Sequence, residues 1–208
     1  AVCGGVNVFA ALPTLAATVG AEAMLLNLVS AMDQEAWKPV VIVVDGRAWP
    51  ESMTKLREAG AEVHDLECSG FLRKTTLVKL VKLLRQIRPD VMQSWMHHAD
   101  FVGGWCARLA GVRHVVWGIH CREIHRIPGE SDLRAAVFRQ LIGASSIVVP
   151  TKIISCSAAA MDDHVPLGYP RAAMVWVPNG IDTKRFLPDD QAREAIRNEL
   201  RVPAEAPL

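Results

Sequence analysis

Short continuous apolar runs alternate along the chain with stretches in which apolar residues recur every three or four positions. The first pattern predicts buried strands and the second predicts amphipathic helices. GVNVFAAL (5–12), KPVVIVV (38–44), AEVHDL (61–66), DVMQSW (90–95), RHVVWGIH (113–120), KIISCS (152–157) and AAMVWVP (172–178) read as seven strands. Between and after them, residues 21–32, 51–60, 75–88, 99–111, 133–144 and 189–202 show helical spacing, and AAAMDDHVPLGYP reads as a helix and turn. A glycine closes the 51–60 helix, and Pro89 keeps the 75–88 helix from running on. A polar loop, CREIHRIPGES, leads into the 133–144 helix.

Strict alternation of strand and helix points to an α/β fold with a parallel, doubly wound, Rossmann-like sheet. Strands that are apolar throughout, rather than at every second position, predict helices on both sheet faces. There is no internal repeat and no low-complexity linker. One domain of this kind uses up nearly the whole chain.

Composition narrows the possibilities. Of 208 residues, 50% are hydrophobic and 22% charged, an ordinary globular mix, and a net charge of +1 gives no global field for nucleic acid. The five cysteines (Cys3, Cys68, Cys106, Cys121, Cys156) are scattered, with no C-x-x-C pair. That fits reduced thiols in a cytoplasmic protein better than a disulfide framework or a zinc site. No apolar run is long enough to span a membrane, and the first residues lack the charged start of a secretory signal. The chain begins without Met, so a processed, engineered or clipped N-terminus is left open.

In an open α/β sheet, ligands bind beyond the carboxyl ends of the strands. Those ends carry the candidates: Trp95 to His98, Gly118-Ile119-His120, Cys156-Ser157, and Asn179-Gly180-Ile181-Asp182. His120, a titratable side chain closing an apolar strand, is the sharpest of them. His97 and His98 read as solvated or helix-capping histidines before they read as a base or ligands. As sequence neighbours they cannot both face one metal. Gly20 lies where a loop meets a helix N-terminus, so it suits either a tight turn or an anion. There is no G-x-G-x-x-G, G-x-S-x-G or P-loop. Arg73, Lys74, Lys79, Lys82, Arg85 and Arg88 give the 73–88 helix a basic face, with no acid between Gly70 and Pro89. Such a face is either a solvated helix surface or a contact with an anionic membrane.

VPNGID (177–182), with Phe186 and Pro188 after it, resembles the V-x-N-G-[VI]-D-x-x-x-F-x-P hinge of family 4 glycosyltransferases, the large retaining GT-B family. LPTLAATVGAEAMLLNLVSAM is similar to that family's first strand, glycine loop and helix. RPDVMQSWMHHADFVGGWCARLAGV resembles the fourth strand and its helix, and IISCSAAAMDDHVPLGYP the S-x-S segment. The resemblance covers essentially the whole chain. It implies the N-terminal, acceptor-binding domain of a transferase whose second domain holds most contacts to a UDP- or GDP-linked donor sugar. It implies no metal or other cofactor, no nucleic-acid partner, an acceptor glycan or lipid, and a cytoplasmic protein, peripheral at the inner face of the membrane through the 73–88 helix.

By the same resemblance His120 stands near the transferred sugar as the catalytic candidate, while Gly20, His98, Ser157, Asn179, Gly180 and Asp182 border the substrates. Asn179-Gly180 is expected to make a tight turn with positive φ. The chain departs from the family at three points. Val19 stands where a glycine is usual, Ala158 where a glutamate is usual, and Ile119-His120-Cys121 where I-R-H is common. Val19 and Ala158 suit the alternative of a degenerate binding or scaffold module of the same fold. Another GT-B enzyme, such as a sugar-nucleotide epimerase, is the second alternative.

Overall fold

The computed structural model describes residues 7–13, 19–70, 72–124, 131–184, 186–203 and 205–206. Its strands are β1 (Asn7–Pro13), β2 (Trp37–Val43), β3 (Glu62–Asp65), β4 (Val91–Trp95), β5 (His114–Ile119), β6 (Lys152–Ser155) and β7 (Met174–Trp176). Its helices are α1 (Val19–Ala31), α2 (Pro50–Glu58), α3 (Lys74–Ile87), α4 (His97–Ala110), α5 (Asp132–Val148), α6 (Ala158–His164) and α7 (Asp190–Leu200). All seven strands pair in parallel in the order β3-β2-β1-β4-β5-β6-β7. The order reverses between β1 and β4, which makes their carboxyl ends the switch point of the sheet.

Right-handed crossovers put the helices on two faces. On one, Leu25 and Val29 of α1 and Leu56 of α2 pack on Val41 and Val43 of β2, and this cluster ends at Trp95 of β4. On the other, Leu80 and Leu84 of α3, Ala99 and Cys106 of α4 and Ile142 of α5 cover Val40, Ile42, Met92, Trp117 and Ile153. Residues Pro39 to Val44 are all buried, as a strand covered on both sides must be. Pro39 falls one residue before the β2–β3 ladder begins at Val40, where a missing N–H costs least.

The helix ends follow local chemistry. Asp189, Ser131 and Ser157 cap α7, α5 and α6 through their side-chain oxygens. Arg88 closes α3 in the left-handed conformation just ahead of Pro89. One expectation fails. Neither Asn179 nor Gly180 has positive φ. After β7 the chain runs on without a turn and bends only at Asp182, whose Oδ1 accepts from Lys184 N at 2.9 Å and whose carbonyl accepts from Phe186 N at 2.9 Å.

Candidate functional site

At the switch point β4 ends in Trp95 and turns into α4 through Met96, held at φ 76° and ψ 156°. A non-glycine residue with that backbone is strained, and such strain collects at functional turns. The turn is pinned by Met96 N–H donating to Gly118 O at 3.1 Å. It sends Trp95 to the α1 face and His97 to the opposite one.

On the α1 face a cleft of about 600 Å³ opens between α1, the ends of β4 to β6 and the segment after β7. His120 lies in it, its ring stacked on Trp95 with centroids 4.3 Å apart and 5° between planes. Gly118 makes room for that ring: a Cβ there would stand 3.0 Å from His120 Nε2 and 2.7 Å from Ser94 O. Both His120 nitrogens and Trp95 Nε1 are buried and have no hydrogen-bond partner among the described residues. Burial pushes the His120 pKa down to about 4, so the ring is neutral at pH 7. A neutral imidazole offers one donor and one acceptor, and with the indole N–H that makes three unmet polar atoms in one cleft. Buried polar atoms rarely stay unpaired, so the cleft is chemically suited to a ligand rich in hydroxyls.

The structure brings together four of the residues singled out from sequence: His120, Asn179, Gly180 and Asp182 all line this cleft. The others lie elsewhere. Gly20 is the second residue of α1, exposed, and nothing lies within 4 Å of a Cβ built on it. The loop before it, 14–18, is outside the described residues, as is Cys3. His98 stacks on Phe138 of α5, centroids 4.8 Å apart, on the far side of the sheet. Ser157 accepts from Ala160 N at 3.4 Å as the cap of α6. Ala158 is exposed at the start of that helix.

Three polar cleft residues escaped the sequence reading. Gln93 had a legible signal, a polar residue inside an apolar strand. Asn27 and Ser30 had none, because they read as the solvent side of α1.

Behind the rim lies a buried polar cluster. His97 is not solvated; it is 3% exposed, and its Nε2 meets His164 Nε2 at 2.8 Å. His164 Nδ1 donates to Ala160 O at 2.7 Å, so its Nε2 accepts and His97 Nε2 carries the shared proton. The other ring nitrogen of His97, Nδ1, faces the Cys121 thiol at 3.8 Å. The four described cysteines are free. Burial pushes the Cys121 thiol up to about 11, which keeps it protonated. Asp100, fully buried, accepts from Ser94 Oγ at 2.6 Å and Gly118 N at 3.1 Å. Those two bonds do not offset its desolvation, and its pKa rises to about 8. Asp100 thus holds Ser94 of β4 and Gly118 of β5 together, directly behind the Trp95–His120 stack.

Comparison with known proteins gives this geometry a family. Residues 19–185 match the model of Glycosyltransferase Family 4. Among solved structures, HepE of Anabaena in complex with UDP is similar over 94% of this chain and 50% of its own, at 16% identity and TM-score 0.69. A glycosyltransferase from Rickettsia africae is similar over 98% of this chain and 52% of its own, at 12% identity and TM-score 0.63. The UDP-GlcNAc 2-epimerase from Methanocaldococcus jannaschii is similar over 83% and 45%, at 14% identity and TM-score 0.52. At these identities the likeness is one of fold, a Rossmann-like half of the GT-B architecture. The chain spans about half the length of the structures it matches. A search of curated proteins gives no match. On the strength of the family model, which takes in most of its residues, the chain belongs to glycosyltransferase family 4.

Proposed function

We propose that the chain is the acceptor-binding half of a retaining, nucleotide-sugar-dependent glycosyltransferase of glycan, lipid or cell-envelope polysaccharide synthesis, acting on the cytoplasmic side of the membrane. Residues 1–182 form the acceptor domain and 183–208 lead to a donor-binding partner domain. The reading rests on one observation above the rest. The cleft at the switch point presents a neutral His120, unpartnered among the described residues and held flat on Trp95, with Asn179 and Asp182 lining the same cleft. UDP in the Anabaena relative supports a UDP-linked donor. Peripheral contact of the 73–88 helix with an anionic membrane is part of the same reading.

In this reading the neutral imidazole of His120 exchanges hydrogen bonds with sugar hydroxyls. Trp95 fixes the plane of the ring, and exclusion of water strengthens each contact. Positive charge at His120 would oppose an oxocarbenium-like centre, and its low pKa avoids that. The diphosphate leaves toward the partner domain, so the 208-residue chain alone is inactive.

The test uses the full-length protein, incubated with UDP-glucose and a panel of acceptors. Sugar transfer with retained anomeric configuration is expected. His120→Ala is expected to lower kcat about 100-fold with a small change in KM, in the range of a lost transition-state contact. Turnover unchanged in His120→Ala would overturn the role of that residue. The likeness to an epimerase favours one second reading, sugar-nucleotide epimerisation. Formation of a C2 epimer without acceptor would establish it and sink the transferase.

A further inference from the structure

The cleft that holds His120 has almost no formal charge. Its lining comes from α1, β4, β6, the end of β5 and the segment after β7, and among the described residues no Lys or Arg takes part, although the chain has 23 of them. Asp182 is the one acid there. Arginines that follow strands at the same rim are committed elsewhere, Arg47 to Asp45 at 2.6 Å after β2 and Arg122 to Asp163 at 2.6 Å after β5. His120 adds no positive charge at pH 7, because burial holds its imidazole neutral. A carboxylate or phosphate entering this cleft would lose water and meet no cation.

What the cleft offers instead is neutral. Gln93 stands in the middle of β4, in register with Val116 of β5 and on the same face as Trp95 two residues on. It is 8% exposed, and it lines the cleft. Its amide has no hydrogen-bond partner among the described residues. A glutamine amide carries two donors and an acceptor. Trp95 Nε1 and the two nitrogens of His120, also buried and unpaired, add to them. Asn27 and Ser30 of α1 bring an amide and a hydroxyl from the more exposed side, and Met24, Leu28, Ile154 and Val177 give the walls an apolar character. A volume of about 600 Å³ with apolar walls and a few polar groups is the make-up of a small-molecule site.

We infer that the acceptor unit held in this cleft is an uncharged sugar, and that Gln93 is a specificity-determining residue that reads one of its hydroxyls. A sugar ring has the same two aspects as the cleft: C–H faces for the apolar walls, and hydroxyls that each give and accept a bond for the neutral polar groups. A uronic acid or a sugar phosphate differs from its neutral parent by a charge, and here that charge would be buried without a cation and in the company of Asp182. The inference rests on the acceptor-binding reading of the cleft and goes further by naming the chemical class of the acceptor.

The test gives the full-length protein matched acceptors: methyl glycosides of neutral hexoses, each beside its counterparts with a carboxylate or a phosphate at C6. Saturation-transfer NMR without donor reads binding, and kcat/KM with UDP-glucose reads transfer. The neutral member is expected to bind, and to be used at least about 100-fold better than either anion, as an unpaired buried charge demands. Gln93→Leu, close in volume, should raise KM for the neutral acceptor about tenfold with little change in kcat, the mark of a contact made in ground and transition state alike. Gln93→Asn, which keeps the amide but withdraws it, is the second variant and should raise KM in the same direction. Gln93→Lys should improve use of the C6 carboxylate at least about tenfold, since a cation then meets it. A side chain that only packed within β4 would not move the charge preference. Circular dichroism will report whether each variant is folded.

An anionic member bound or used as well as its neutral parent overturns the inference, and so does binding of neither. An unchanged KM in the folded Gln93 variants overturns the role of that residue. Neutral glycosides bound in preference to the anions, with no sugar transferred to any of them, would sink the transferase and leave the class of ligand standing.

Discussion

His120 is usable because of a residue two positions earlier. Its ring fits over the sheet only where Gly118 has no side chain. Gly118→Ala would push a Cβ against Ser94 O, a backbone atom that cannot swing aside, and the ring would have to leave Trp95. We expect a loss of about 1–3 kcal/mol, the usual cost of overpacking, and a change in near-ultraviolet circular dichroism from the disturbed Trp95 stack. A urea titration with that spectrum checks both. Unchanged stability and spectrum would mean that the ring is not seated as described.

Asp100 makes a separate prediction about pH. Its folded pKa of about 8 lies above the unfolded value, so the folded state holds the proton longer. The contribution is fully present below pH 4 and is lost as pH rises through 8. His120 works the other way, its folded pKa of about 4 costing stability as pH falls from 6.5. The two oppose each other in acid, and above pH 6.5 only Asp100 of the pair acts. Between pH 6.5 and 8.5 the protein should lose about 2 kcal/mol that Asp100→Asn does not lose, measured by urea midpoints across that window.

At the level of elements, the glycine with least room for a side chain, among the described residues, lies where α5 meets the turn after α6. A Cβ on Gly143 would stand 1.9 Å from Leu167 O. Gly143→Ala should therefore cost more than Gly118→Ala, about 3 kcal/mol or above, because two elements must separate. A thermal melt of the two variants side by side will rank them, and the reverse order would show that α5 can shift freely. The elements themselves were legible in the sequence. Among the described residues all seven strands and seven α-helices lie where apolar runs and helical spacing put them, with ends displaced by at most four residues, apart from the C-terminal end of α6, where the sequence reading ran helix and turn together.

The site was legible only where it sits at strand ends. His120, Asn179 and Asp182 met in one cleft because the carboxyl rim gathers them. His98 and Ser157 occupy the same rim, but their side chains turn to Phe138 and to the α6 backbone, a choice that packing makes and spacing does not record. The same applies to His97, read as solvated or helix-capping and found buried against His164, 67 positions away in the chain. The positive φ expected at Asn179-Gly180 appears instead at Met96, where nothing in the residue type announces it.

For the whole molecule, the question is where the domain ends. After β7 nearly every residue is exposed, including Ile181 at 67%, Phe186 at 65% and Leu187 at 67%. α7 follows as a unit closed on itself. Its one buried side chain, Arg197, donates through Nη2 to Ala206 O at 2.6 Å and through Nη1 to Pro203 O, both within the same terminal segment. Helix and tail thus satisfy each other and add little to the sheet. The boundary proposed near residue 182 then makes a direct demand on stability. Removing residues 189–208 should shift the melting temperature by no more than about 2 °C, because little apolar area is uncovered. Scanning calorimetry of the shortened chain beside the full one decides it. A drop of 10 °C would mean that α7 belongs to the first domain's core, and the linker would have to be sought further along the chain.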